Sequence, residues 1–305
     1  MVGGSLILLL NPLYSQKSFF KPSDTLNHQR LLISSGFSAI CYSSFSIGLY
    51  HAWYKEYNTG KFKLFNDAGE WRNMDKLGHL YNGFFQSDLI YQGARWTGMS
   101  KQTSIWTAMG VSMLFLSTIE VYDGHSRGWG FSWPDMAANV LGVGLFGVQQ
   151  SIFNQQKLYL KFSAFPEHYP MDQTILERRQ SLYGSNPLQR VLKDYNQQIY
   201  WMSFHPGKKI CPLPWLNLAI GYGANGMLGG FENKWLDKNG NTVQLDPKQY
   251  PRYSQYYLSL DLDLRKIPVK NPWLKNSLRI LQIFKVPAPT IEVNSMGKLK
   301  AHWFR

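Results

Sequence analysis

The stretch from Asp75 to Gly142 constrains this chain most, because it holds three apolar segments that each carry polar residues an apolar helix normally excludes. The first opens Asp75-Lys76-Leu77-Gly78-His79. The second closes Ile119-Glu120-Val121-Tyr122-Asp123-Gly124-His125. The third opens Gly130-Phe131-Ser132-Trp133-Pro134-Asp135 and continues through Asn139 to Gly142. Ionisable groups in such helices are costly unless they meet partners, so these residues form either a mutually satisfied cluster or a functional site.

Their spacing suggests how they meet. Asp75 and His79 are i, i+4 and share a helix face, where a carboxylate can fix the tautomer of an imidazole. Glu120 closes a long apolar run, with Asp123 one turn further on at an Asp-Gly turn. Ser132 can cap the third segment, with Pro134 in its first turn and Asp135 as the acidic member of a capping box. Asn139 lies one turn beyond Asp135 and needs a partner, for which Glu120 or His79 is suited. The expected polar cluster is Asp75, Lys76, His79, Glu120, Asp123, Asp135 and Asn139. An enzyme built on it would use His79, Glu120, Asp123 and Asp135 catalytically, with Arg127 or Lys76 on a phosphate. No nucleophile elbow, Gly-rich phosphate loop or HExxH spacing is present, so no metal and no cofactor is expected. A structural network is the leading reading.

The rest of the chain divides around this region. Residues 1–16 resemble a secretory signal peptide, with an apolar core from Leu6 to Leu10. No lipobox cysteine accompanies it, since Cys41 lies too deep. Leu31 to Tyr54, Gly78 to Trp96, Thr103 to Tyr122 and the helix after Ser132, running to about Gln156, make a small membrane-associated helical bundle over residues 17–156. Ala138 and Gly142 form a small-xxx-small pair that permits close helix approach. Residues 157–195 read as a linker with short elements.

Beyond the linker the period changes to two. Leu216, Leu218, Ile220 and Tyr222 alternate with Asn217, Ala219, Gly221 and Gly223, and Tyr256 to Arg265 and Lys298 to Trp303 alternate likewise. These are strands with one apolar and one polar face, too few by themselves for an outer-membrane barrel. Pro272 to Lys285 reads as an amphipathic helix that covers the sheet or lies on a membrane. The expected class is α+β, a bundle followed by a basic β-rich domain over residues 196–305.

Charge supports a membrane partner. Residues from 155 onward carry 21 Lys+Arg and 10 Asp+Glu, against 11 and 9 before them. A basic surface attracts anionic lipid or nucleic acid, but no nucleic-acid motif is present, so membrane lipids are the expected partner, with an envelope protein as a further one. The 11 Trp, 18 Tyr and 18 Phe suit a membrane–water interface. Two cysteines, Cys41 and Cys211, exclude a disulfide framework.

The order DK-x-GH, E-x-x-DG, GFS-x-x-D-x-x-x-N-x-x-G resembles the YfiM-like family of predicted periplasmic lipoproteins. It is carried by Asp75, Lys76, Gly78, His79, Glu120, Asp123, Gly124, Gly130, Phe131, Ser132, Asp135, Asn139 and Gly142. A looser likeness exists to VanZ-like membrane proteins. The approach FND-x-x-EW-x-x-MDK-x-GH at Phe65 to His79, a KDYN-x-Q-x-YW-x-S segment at Lys193 to Ser203 and the basic tail resemble the Bacteroidetes long form. The resemblance implies a Gram-negative cell-envelope location, periplasmic or membrane-associated. The expected function is non-enzymatic, with a buried polar cluster and a membrane- or partner-facing tail. The alternatives are a membrane-embedded hydrolase or transferase on a lipid or cell-wall precursor, and a binding module using Tyr195, Tyr200, Trp201 and Trp215.

Overall fold

A computed structural model describes residues 19–51 and 60–305. The segment read as a signal peptide lies outside the described residues. The fold is α+β, with an N-terminal helical region and a C-terminal antiparallel sheet of six strands.

Four long helices come first: α1 (His28–Leu49), α2 (Met74–Trp96), α3 (Lys101–His125) and α4 (Trp133–Phe153). By length and composition alone, α1, α3 and α4 are apolar enough to cross a membrane. The starts are set locally. Asn27, Ser100 and Ser132 accept the orphan amides of Arg30, Thr103 and Asp135. Helices α2, α3 and α4 pack around Phe84, Ala108 and Phe146. The α2–α4 contact is close because two glycines make it. A Cβ on Gly83 would lie 2.8 Å from the Asn139 carbonyl oxygen, and one on Gly142 would collide with the Leu80 carbonyl. Helix α1 buries none of its residues and touches the bundle through Tyr42, whose ring stacks on Phe115.

A short parallel pair, β1 (Leu64–Phe65) with β2 (Phe131–Ser132), lays the loop before α2 beside the start of α4. That pairing brings Asp67 to Asp135.

The sheet has the order β10-β9-β8-β5-β4-β3, from β3 (Leu158–Ala164), β4 (Gln198–Phe204), β5 (Leu216–Asn225), β8 (Tyr253–Leu262), β9 (Thr290–Asn294) and β10 (Leu299–His302). A small hairpin, β6 (Lys234–Leu236) and β7 (Thr242–Gln244), stands between β5 and β8. Residues 157–195, expected as a linker, therefore contain β3 as well as helices α5 (Gln173–Tyr183) and α6 (Pro187–Lys193). Lys161 in the middle of β3 hid the strand, because a lysine there does not look like a core position. The amphipathic helix is α7 (Pro272–Leu281), shorter than read because the chain turns at residues 282–283 and pairs with β3.

The sheet curls into a small barrel closed at one end. Lys161 on β3 and Asp261 on β8 are separated by two intervening strands, yet their charged atoms are 2.7 Å apart. The lead-in to β9 completes the curl: Phe162 donates its amide to the Ile283 carbonyl and accepts from Lys285, both at 2.9 Å. Gly221 makes room inside, where a Cβ would lie 2.6 Å from the Trp201 ring.

Around an inward apolar cluster of Ile199, Trp201, Ala219 and Tyr257, much of the polarity of this barrel is reversed relative to a water-soluble sheet, which buries its apolar face. Ser203, Asn217, Ser259, Asp261 and Glu292 point inward and are buried, while Met202, Ile220, Leu258, Leu260, Ile291 and Val293 point outward at 40–51% exposure. Several interior polar groups pair with one another. Ser203 donates to Asp261 at 2.6 Å, Asn217 to Ser203 at 3.1 Å, and Gln255 to Glu292 at 2.9 Å. His302 lies 2.7 Å from Glu292.

Candidate functional site

The polar residues of the three apolar segments converge at the end of the bundle where α2 and α4 begin and α3 finishes. Lys76 is the centre. Its ammonium lies 2.7 Å from Asp67, 3.0 Å from Asp75 and 2.7 Å from Asp135, and is largely buried. Three carboxylates from a loop, α2 and α4 thus share one cation, a charge-assisted arrangement stronger than neutral hydrogen bonds.

His79 sits one turn further along α2. Its Nδ1 is 3.1 Å from Asn139 Oδ1. Glu120 Oε1 is 3.6 Å from the same nitrogen. Its Nε2 faces Asp75 and Asp135, each at 3.9 Å. Glu120 is fully buried, and its other oxygen accepts the Ser132 amide at 3.2 Å. Ser132 in turn donates its hydroxyl to Asp67 at 2.6 Å while accepting the Asp135 amide at 3.1 Å. Asp123 lines the same cavity from the end of α3. All seven residues of the expected cluster therefore meet at one place. Arg127 does not: it is exposed on the loop beyond α3.

Three contributors were missed. Asp67 and Tyr195 bind the cluster directly, the latter donating to Asp75 Oδ1 at 2.6 Å. Glu70 lines the cavity, and burial, together with the neighbouring Asp75 and Asp67, pushes its carboxyl up to about 7. Asp67 and Glu70 belong to the FND-x-x-EW approach, which was the available signal. Asp75 does not cap α2. The position before the helix is Asn73, and Trp71, Arg72 and Asn73 all have positive φ, at 50°, 52° and 63°. Left-handed residues other than glycine cost on the order of 1 kcal/mol each and persist where surroundings impose them. Here the Gly230 carbonyl accepts the Trp71 amide at 2.8 Å and Tyr222 donates to the Arg72 carbonyl at 2.8 Å. Residues following β5 and on the barrel thus hold the turn that delivers Lys76.

The cavity is about 210 Å³, lined by Asp67, Glu70, Asp75, His79, Asp123 and Asp135 and rimmed by Trp71 and Trp129. Asp75, His79 and Asp135 offer ligand atoms within 4.8 Å of one another, enough to hold a divalent ion. Lys76 already places a cation on two of the three. The four aromatics considered as a binding face do not form one. Trp201 is buried inside the barrel, Tyr200 packs on Tyr81 and Phe162, Tyr195 bonds the cluster, and Trp215 is half-buried.

Fold and site define a class: a helical bundle joined to an antiparallel sheet with buried polar pairs, and a buried ion cluster where they meet. Residues 64–150 match the family described as predicted periplasmic lipoprotein, DUF2279. That span contains all seven residues of the cluster. The match agrees with a location in the Gram-negative cell envelope, periplasmic or membrane-associated. No curated protein and no solved structure matches the chain.

Proposed function

We propose that this chain is a non-catalytic, membrane-embedded envelope protein whose ion cluster fastens the helical bundle to the barrel. The observation that carries this reading is the saturation of Lys76 by three carboxylates from separate parts of the chain, one of them tied on to Tyr195 at the approach to the barrel. A cation committed to three partners is a poor catalyst or phosphate ligand and a good fastener. The three helices long enough to cross a membrane support the embedded placement. The finer likeness to YfiM-like long forms and VanZ-like proteins belongs to this reading, as does the division into bundle, connecting segment and β-rich domain.

The cavity beside His79 favours one second reading, a hydrolase or transferase on a lipid or cell-wall precursor with His79 as acid/base. Purified His79→Ala and Glu120→Gln separate the two when compared with the wild type in thermal melts and membrane retention, with elemental analysis of each. Early melting with no bound metal is the expected result. Variants that stay folded, or that lose a metal the wild type holds, would overturn the structural reading.

A further inference from the structure

We propose that the outer wall of the barrel is a lipid-facing surface, with β5, β8 and β9 meeting the acyl chains of a bilayer and the basic end of the barrel meeting anionic headgroups. This rests on the bundle being membrane-embedded.

The outward apolar face fits lipid. Alternation with apolar residues outward and polar residues inward is the pattern of strands surrounded by lipid, where hydrocarbon replaces a core. Ile220, Leu258, Leu260, Ile291 and Val293 make a continuous outward face, while the opposite face holds a fully buried Lys161–Asp261 pair. The pairings Ile220 with Leu258 and Leu258 with Ile291 place these side chains in rows across three strands. Strands β5 and β8 are 10 residues long, and about 9–11 tilted residues cross a bilayer.

The barrel wall is also aligned with the helices. Tyr195 meets Asp75, Tyr200 lies beside Gly78, Phe162 packs on Tyr81 and Tyr159 on Phe84. Helix α2 therefore runs alongside β3 and β4 and covers their part of the wall. A bilayer crossed by α3 and α4 reaches the remaining wall at the same depth. A barrel of so few strands needs no complete apolar belt of its own, because the helices supply the missing side.

Positive charge gathers at one end of the barrel. The connections leaving β4 and β8 at this end, residues 205–215 and 263–289, carry Lys208, Lys209, Lys266, Lys270, Lys275 and Arg279 among others. Their single acid, Asp263, is buried against Arg265 and Lys266. The same end carries α7, whose Trp273, Leu274, Ile280 and Leu281 are 48–64% exposed. An amphipathic helix with basic residues lies at the headgroup level of an anionic leaflet.

The test uses the full chain with Cys41 and Cys211 replaced by serine, in vesicles of phosphatidylethanolamine and phosphatidylglycerol. Single cysteines at Ile220, Leu258 and Ile291 carry an environment-sensitive fluorophore. Leu114→Cys on α3 reports the bundle, and Lys238→Cys in the β6–β7 hairpin reports water. Loss of fluorescence with brominated acyl chains, and its retention in aqueous iodide, is expected at the three barrel positions and at Leu114. Iodide quenching at the barrel positions, with Leu114 still quenched by lipid, overturns this inference and leaves the bundle reading intact. Iodide quenching at Leu114 as well removes the membrane placement altogether. Barrel labels shielded from both quenchers, with Leu258→Cys cross-linking between copies, assign the wall to a second copy of the chain and overturn the lipid assignment.

Discussion

Tyr195 donates its hydroxyl to Asp75 Oδ1 at 2.6 Å, joining the segment that enters β4 to the first turn of α2. Because Asp75 also holds Lys76, one phenol connects the barrel to the whole ion cluster. Tyr195→Phe removes only that oxygen. A hydrogen bond to a charged group contributes about 1.5–3 kcal/mol, and a loss of that size is expected in chemical denaturation. Tyr200→Phe, which removes a bond to the neutral Gln198 side chain, should cost less, about 0.5–1.5 kcal/mol. Equal losses would place no special weight on the Asp75 contact.

Glu70 gives a pH signature. Its carboxyl titrates near 7 in the folded protein against 4.5 when free, so the folded state holds its proton more tightly. Below pH 4.5 the group is protonated in both states and exerts no differential effect. As pH rises through 7 the advantage of the neutral form is lost and the fold is destabilised. Glu70→Gln should therefore melt like the wild type at low pH and increasingly later than it as pH approaches 7. A difference constant across pH would contradict the assignment.

Inside the barrel, Lys161 and Asp261 form a pair with no solvent exposure. Removing one partner leaves an uncompensated buried charge, at a cost of about 3–5 kcal/mol. Lys161→Met and Asp261→Leu should each be strongly destabilising, and the double variant should lose much less than the two losses combined. Additive losses would mean the two charges do not depend on each other.

Gly142 sets the spacing of α2 and α4, since its Cβ would meet the Leu80 backbone. Gly142→Ala forces the helices apart and should cost about 1–3 kcal/mol through overpacking. Because Asn139 lies one turn earlier on α4, the His79–Asn139 contact should weaken too, which the histidine ring signals in NMR would report. Gly144→Ala, with open space around its Cβ position, is the control and should be neutral or stabilising.

What the sequence made legible was local. The Ser132–Asp135 cap follows from spacing within one turn, and the Ala138–Gly142 pair marks the helix face that needs close approach. The cost of placing Glu120 and Asn139 in apolar helices required that they find partners, and one oxygen of each did, Glu120 Oε2 with the Ser132 amide and Asn139 Oδ1 with His79. What it hid was non-local. Asp67 reaches Lys76 only because β1 pairs with β2, a contact between residues far apart in sequence. Tyr195 offered itself only as a core or binding-face aromatic, because nothing nearby announces its carboxylate partner. Strand β3 was lost because its inward position is Lys161, acceptable only once Asp261 arrives from β8. The alternation of the strands was plain, but alternation alone does not say which face turns inward.

The account stands most directly on the coupling between Lys76 and Asp135, 2.7 Å apart. A double-mutant cycle of Lys76→Met and Asp135→Asn, read by chemical denaturation of the purified protein, measures it. The account predicts that Lys76→Met is severely destabilising, by about 3–5 kcal/mol as carboxylates lose their cation, and that the two changes couple by about 0.5–3 kcal/mol. A Lys76→Met protein as stable as the wild type, with no coupling to Asp135, would contradict it and move the cluster from fastener to active site.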